Sequence, residues 1–305
     1  LSDAGKTVLS MSRANYFNAV YMDTLNKRQG QAHFADPNQD DGMWVRMRFD
    51  NLGQEGEFRS HNTMVEIGYD RKAAYDSGDW HFGAALDYMH GQTDYNSVNG
   101  DGELDRLGAW LYGTWLSDDG QYLDLILKYG HIENDFEVAT PTNGNVTGSY
   151  GNDVYSLSAE YGYKFADEDS GIFFEPQVQL QYAHVTGADY TTSQDTKVDV
   201  EAIDSLIGRA GFRLGADLAQ DTTPVALYLR ADVMHEFMGD QDISASDDTG
   251  YMSVSYDNND TWYDVGLGFS VKAHESTYFF MEAEKLFGAN YSDTYIFSIG
   301  ARHSF

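Results

Sequence analysis

The chain has 305 residues, no cysteine, and 19 basic against 49 acidic side chains, a formal net charge of −30. That charge excludes nucleic acid as a partner, since phosphate binding needs clustered Lys and Arg, and the lack of any apolar run of 18 or more residues excludes a helical membrane span. With 22 Tyr, 17 Phe and 30 Gly against only 4 Pro, the composition points to β structure rather than disorder. A length of 305 residues suits two domains or a single all-β barrel. No secretory signal peptide is visible at the start, and a cysteine-free chain suits either a reducing or an oxidising compartment.

The first thirty-one residues read as one helix. Between Ser2 and Gly30 there is no proline, and Val8, Met11, Phe17, Val20, Tyr21, Thr24 and Leu25 recur at spacings of three and four. Ser2 is a suitable N-cap and Gly30 a suitable stop. At about 1.5 Å per residue such a helix is roughly 45 Å long, more than the ~30 Å of bilayer hydrocarbon. Lys6, Arg13, Lys27 and Arg28 outweigh Asp3 and Asp23 by two charges, whereas the remaining residues carry 15 basic and 47 acidic side chains. A slightly cationic helix therefore precedes a very acidic body, and the expectation is that it lies inside that body. The alternative is an amphipathic helix packed on the outside of a soluble domain.

After an acidic linker, Phe34 to Gly42, strand patterns follow one another. Val45, Met47 and Phe49 alternate with Trp44, Arg46 and Arg48, and Val65, Ile67 and Tyr69 with Glu66, Gly68 and Asp70. The same period of two recurs over 80–88 and 123–129 and is longest over 155–165. Leu107 to Trp115 is apolar on both faces. Further alternating runs occupy 175–182, 206–214, 227–236, 263–271, 279–284 and 297–305. These make twelve strands, an even number that lets an antiparallel sheet close with both chain ends on one side.

Short turns at 71–78, 117–120, 166–170, 219–223 and 273–275 alternate with longer acidic connections at 91–103, 133–152, 186–199 and 238–256. Outer-membrane barrels have this asymmetry, together with aromatic residues at the ends of the apolar faces. The polar face is rich in Gly, Ser and Gln rather than in charge, which suits a lumen holding something bulky more than the solvated face of a sandwich. No blade-length repeat supports a propeller.

Candidates for chemistry are few. His33, His61, His81, His90, His131, His184, His235, His274 and His303 are scattered with no pair at metal-ligand spacing, and no G-x-S-x-G elbow is present. Residues 99–105 resemble a calcium loop without its full ligand order, and no metal or cofactor is expected. On the lumen face, Glu66, Asp70, Asp124, Glu160, Glu175, Glu282 and Glu284 can pair with Arg46, Arg209, Arg230 and Arg302, or hold the helix.

Taken together, Leu25-Asn26-Lys27-Arg28, Gly42-Met43-Trp44-Val45-Arg46, Gly68-Tyr69-Asp70-Arg71-Lys72, Phe174-Glu175-Pro176-Gln177, Gly208-Arg209-Ala210-Gly211 and the closing Arg302-His303-Ser304-Phe305 resemble the C-terminal translocator domain of type V autotransporters. The resemblance covers the whole chain. It implies a pore helix and linker start over 1–33 and, over 34–305, a twelve-stranded barrel integral to the bacterial outer membrane. That barrel would be monomeric and would secrete and anchor an N-terminal passenger. Phe305 would belong to the signal read by the β-barrel assembly machinery, with periplasmic chaperones and lipopolysaccharide as further partners. His303 departs from the tyrosine usual in the family.

Family members that release the passenger cut between two asparagines just before the Leu-Asn-Lys-Arg run, assisted by an inward Asp and an inward Glu. Asp124 and Glu175 match those acidic positions, but Asp23-Thr24 replaces the asparagine pair. A carboxylate is a poorer cyclising group than a carboxamide, so no efficient cleavage is expected. The chain then resembles the AIDA-type adhesin branch, with Asp124 and Glu175 orienting the helix. Lys6, Arg13, Asp23, Thr24, Asn26, Lys27 and Arg28 are the helix residues expected to meet the barrel. An outer-membrane barrel enzyme of protease or lipase type and a passive porin are the alternatives.

Overall fold

The computed structural model describes residues 1–142 and 144–305; Asn143, inside the expected 133–152 loop, lies outside the described residues. Twelve antiparallel strands run in chain order: β1 (Asp41–Gln54), β2 (Phe58–Tyr75), β3 (Gly78–Tyr95), β4 (Gly100–Ser117), β5 (Gln121–Thr140), β6 (Gly144–Tyr163), β7 (Ile172–Val185), β8 (Ile203–Leu218), β9 (Val225–Glu236), β10 (Thr261–His274), β11 (Thr277–Gly288) and β12 (Tyr291–Ser304). Each pairs with the next, and β12 closes on β1 with Val45 opposite Ala301 and Gly42 opposite Ser304. Closure leaves no free edge, the condition for a sheet to sit in a bilayer.

The alternation seen in the sequence has the sense it must have in a membrane. Leu107 (63%), Leu111 (60%) and Leu267 (65%) are among the most exposed large side chains, while Arg46 and Arg230 are fully enclosed. This inversion also orients β4: Leu107 and Leu111 face lipid, and Trp110 and Tyr112 point into the lumen. Outward tyrosines 88, 129, 155, 182 and 263 ring the long-loop end of the apolar band, with Tyr69, Phe82, Phe165, Phe174, Phe279 and Phe305 towards the other end. These are the two aromatic girdles of a membrane barrel.

The long connections are more ordered than loops. About 9–11 tilted residues suffice to cross the hydrocarbon, yet β5 and β6 each run for 20. The expected loops at 91–103 and 133–152 are thus largely strand that continues beyond the apolar band, and residues 100–105, in the stretch likened to a calcium loop, belong to β4. The other two long connections supply the hairpin-like pairs Ala188–Thr191 with Lys197–Val200 and Asp240–Asp247 with Gly250–Asp257. These join edge to edge into a separate four-stranded sheet at the loop-side mouth.

The N-terminal segment lies inside the barrel, but not as one helix. α1 spans Asp3–Ala19, residues 20–24 are unwound, and α2 spans Leu25–Gln29. Ser2 caps α1 and Gly30 ends α2 at φ +57°, where a Cβ would run into Phe280 and Ser270. The break has a local cause: Thr24 Oγ1 caps the second helix by accepting from Lys27 N at 3.3 Å. The unwound carbonyls of Val20 and Asp23 accept from Gln181 and Gln179 of β7 at 3.0 and 2.8 Å. Barrel side chains therefore replace the lost helical bonds. A 3-10 turn, Ala32–Phe34, ends this inner segment, and Phe34 packs on Tyr278 and Phe280.

Candidate functional site: the helix-filled pore

Three tiers hold the segment. At the loop-side mouth, Val8, Leu9, Met11 and Ala14 pack against Val198, Val200, Ile243 and Ala245 of the four-stranded sheet and against Phe136 and Tyr150 of the extended β5 and β6. Gln241 Nε2 donates to the Ser12 carbonyl at 2.8 Å, and Arg13 Nε reaches Glu57 at 2.9 Å with its guanidinium over the Tyr256 ring. Lys6 pairs with Asp3 of its own helix at 3.4 Å.

Below the clasp is an apolar ring. Met64, Met89, Leu104, Ile132, Val154, Ala183, Ile207, Met234, Trp262, Leu286 and Ile296, one from each strand β2 to β12, enclose Tyr16, Val20 and Met22 in a single buried cluster. Sequence reasoning missed it by treating the inward face as polar throughout. The available signal was an apolar residue recurring on that face near the loop end of each strand.

The third tier, around the break and α2, is ionic. Lys27 Nζ lies 3.1 Å from Asp264 and 3.0 Å from Glu284. Arg230 bridges Glu284, Glu282, Asp264 and Asp232, and Arg209 continues the chain from Asp232 at 2.9 Å to Glu160 at 3.3 Å. Further round the wall, on β1 and β2, Asp23 meets Arg46 at 2.9 Å and Arg48 at 3.6 Å, with Glu66 also on Arg46. Asn26 accepts from Gln177 at 2.8 Å, and Arg302 is bound by Asp70 through both carboxylate oxygens. Asp232, Asp264, Arg48 and Arg213 take part although they were not singled out as site residues; all stand at inward positions of their strands.

Arg28 is held between a carboxylate and two aromatic rings. Its two terminal nitrogens bind both oxygens of Asp124 at 3.0 and 2.9 Å, and its guanidinium stands 5.3 Å from the Trp110 and Tyr112 rings. Glu175 is bound in the same two-pronged way by Arg213, 2.9 Å at each contact, while Gln177 donates to it at 2.7 Å. Asp124 and Glu175 are therefore both committed elsewhere and neither bonds the Asp23-Thr24 peptide. The carboxylate touching backbone there is Glu160, which accepts from Leu25 N at 2.9 Å. Among the described residues no three His, Cys, Asp or Glu groups are arranged to hold a metal ion.

A closed, lipid-facing twelve-stranded barrel filled by its own N-terminal helix is the architecture of an outer-membrane translocator. Residues 41–284 match the family described as Autotransporter beta-domain, and the chain belongs to that family. It is 25% identical over 291 residues to a probable autotransporter, YcgV, of Escherichia coli K12, covering 91% of this chain and 30% of that protein. It is 28% identical to the serine protease EspC of Escherichia coli O127:H6, over all of this chain and 23% of EspC. The β domain of the Bordetella autotransporter BrkA superposes with a TM-score of 0.73 at 25% identity, covering 87% of this chain and all of that one. The transport unit of AIDA-I from Escherichia coli gives 0.67 at 15% identity over 100% and 99%, a likeness of fold. The chain thus spans less than a third of the curated relatives it matches. It is an integral barrel of the outer membrane.

Proposed function

We propose that the barrel carries an upstream passenger to the cell surface and then keeps it tethered through residues 1–34. The supporting observation is the direction of threading. The chain begins in the clasp of the long-loop sheet, with Leu1 exposed ahead of α1, runs down through the pore, and enters β1 at the short-turn mouth. Anything joined ahead of Leu1 would emerge on the outer side. The passenger reading is an adhesin: Asp23-Thr24 in place of the asparagine pair, and Asp124 and Glu175 both held by arginine, support a helix that stays covalently attached. The serine-protease name of EspC belongs to a protein more than three-quarters of which lies outside the match.

We assign assembly to the β-barrel assembly machinery and periplasmic chaperones acting at the closing seam, where Phe305, the residue after β12, donates its N–H to the Asp41 carbonyl at 2.9 Å. The test is planar-bilayer conductance of the full chain beside a version beginning at Ala35. The full chain is expected to be nearly closed and the shortened one to conduct steadily. Equal conductance would overturn the plug reading and return the porin alternative.

A further inference from the structure

Histidines scattered along the sequence are grouped by the barrel. On three alternate hairpins the same outward trio recurs: Tyr88 and His90 of β3 with Asp105 of β4, Tyr129 and His131 of β5 with Asp153 of β6, and Tyr182 and His184 of β7 with Asp204 of β8. In each, one carboxylate oxygen accepts from the phenol at 2.7, 2.6 and 2.6 Å. The same oxygen lies 2.7, 2.9 and 2.8 Å from the imidazole Nδ1. On the next hairpin His235 meets Thr261 instead.

The trios stand at one level. Across the β4–β5 seam His131 is opposite Leu107, two residues from Asp105, and across β6–β7 His184 is opposite Tyr155, two residues from Asp153. A step of two residues per hairpin is the stagger that a closed barrel of tilted strands needs to keep a feature at constant height. Because the tyrosines end the apolar band, the His-Asp pairs lie where acyl chains give way to headgroups. At this level the outward side chains of β3 to β8 that can carry positive charge are these histidines.

Beneath the first two trios the wall is hollow. Ala84 of β3 and Ala109 of β4 sit among Ile67, Leu86, Leu111 and Leu127, leaving a groove of about 680 Å³ that ends upward at Tyr129 and Tyr155. His131 is the next outward position above Tyr129. An apolar trough running into a polar cluster has the shape of an amphiphile.

We infer that this groove holds one outer-leaflet lipid, its acyl chain over Ala84 and Ala109 and its phosphate-bearing headgroup against His90 and His131. An imidazole whose Nδ1 is engaged by a carboxylate keeps Nε2 for a second partner, and as imidazolium it donates that N–H to a phosphate oxygen. At His131 the phosphate takes the place of Glu133, whose carboxylate lies 3.4 Å from Nε2. Once the Glu133 side chain has turned away, Asp153 and Asp105 each balance one imidazolium, so the contact selects for an acceptor at the right height rather than for bulk charge.

Native mass spectrometry of the full chain decides it, with diphosphoryl lipid A and its dephosphorylated form as probes. After exchange into lipid-free detergent, the wild type is expected to retain one diphosphoryl lipid. Retention should fall about tenfold or more in both A84L/A109L and H90Q/H131Q. Heat-modifiable gel mobility checks that each variant is folded. Undiminished retention by folded A84L/A109L would remove the groove from the proposal. Equal retention of the two lipid forms by the wild type, a comparison that needs no variant, would overturn the headgroup contact.

Discussion

Arg28 stands where the pore's two kinds of chemistry meet, paired end-on with Asp124 and faced by Trp110 and Tyr112. Removing one partner of such a pair leaves the other buried and uncompensated, which costs on the order of 3–5 kcal/mol. Part of that is recovered if water enters from the short-turn mouth. R28Q is therefore expected to loosen α2 and turn the closed bilayer record into one with bursts of conduction. D124N on that background should restore closure in part. An unchanged record for R28Q would mean the remaining tiers hold the plug alone. At the neighbouring break, purified protein is expected to stay whole between Asp23 and Thr24, giving an intact mass of 34.2 kDa and no fragment beginning at Thr24.

Among the elements, α1 depends most on tertiary contacts, since it is buried on every side from Thr7 to Tyr16 and has no polar face to give to solvent. Its outer half is covered jointly by the four-stranded sheet and by the extended ends of β5 and β6. Replacing residues 241–256 with a short Gly-Ser link should expose Val8, Leu9 and Met11, each worth roughly 1.5–3 kcal/mol when fully buried. The expected result is protease cleavage ahead of Tyr16 in a barrel that keeps its heat-modifiable mobility. Continued protection would assign the clasp to β5 and β6. The apolar ring from β2 to β12 would be untouched by that change, so conductance should stay low even as the outer half frays.

For the whole molecule the closing seam is decisive. Phe305 lies outside, half exposed to lipid, with its ring 6.5 Å from Tyr69, a contact worth about 0.5–1.5 kcal/mol. F305S should therefore change the thermal stability of refolded barrel very little, while reducing the amount assembled in cells severalfold. Quantitative blotting of outer membranes beside melting of refolded protein separates the two effects. A large loss of stability in vitro would make Phe305 a structural residue instead of an assembly signal.

Twelve strands, the facing of all but β4 and the helix inside them were legible because lipid and lumen impose period two on a strand. Arg46 and Val65 each announce their side through their neighbours, whereas Leu107 to Trp115, apolar on both faces, does not. The same local rule could not show that Leu104 and Met89 join nine other strands in a ring, since their alignment depends on stagger around a closed sheet. Nor could it show that Asp124 binds Arg28 while Glu160 reaches Leu25, because residues more than ninety positions apart meet only once the barrel has closed around the helix. The break at 20–24 is of the same kind: Thr24 is a visible cap, but the glutamines that satisfy the unwound carbonyls come from β7. Sequence alone determined the class of fold and which side of every strand but β4 meets lipid, since both follow from local pattern. The tertiary structure decided which charges pair, where the plug bends and how the pore is sealed, since these follow from register and closure.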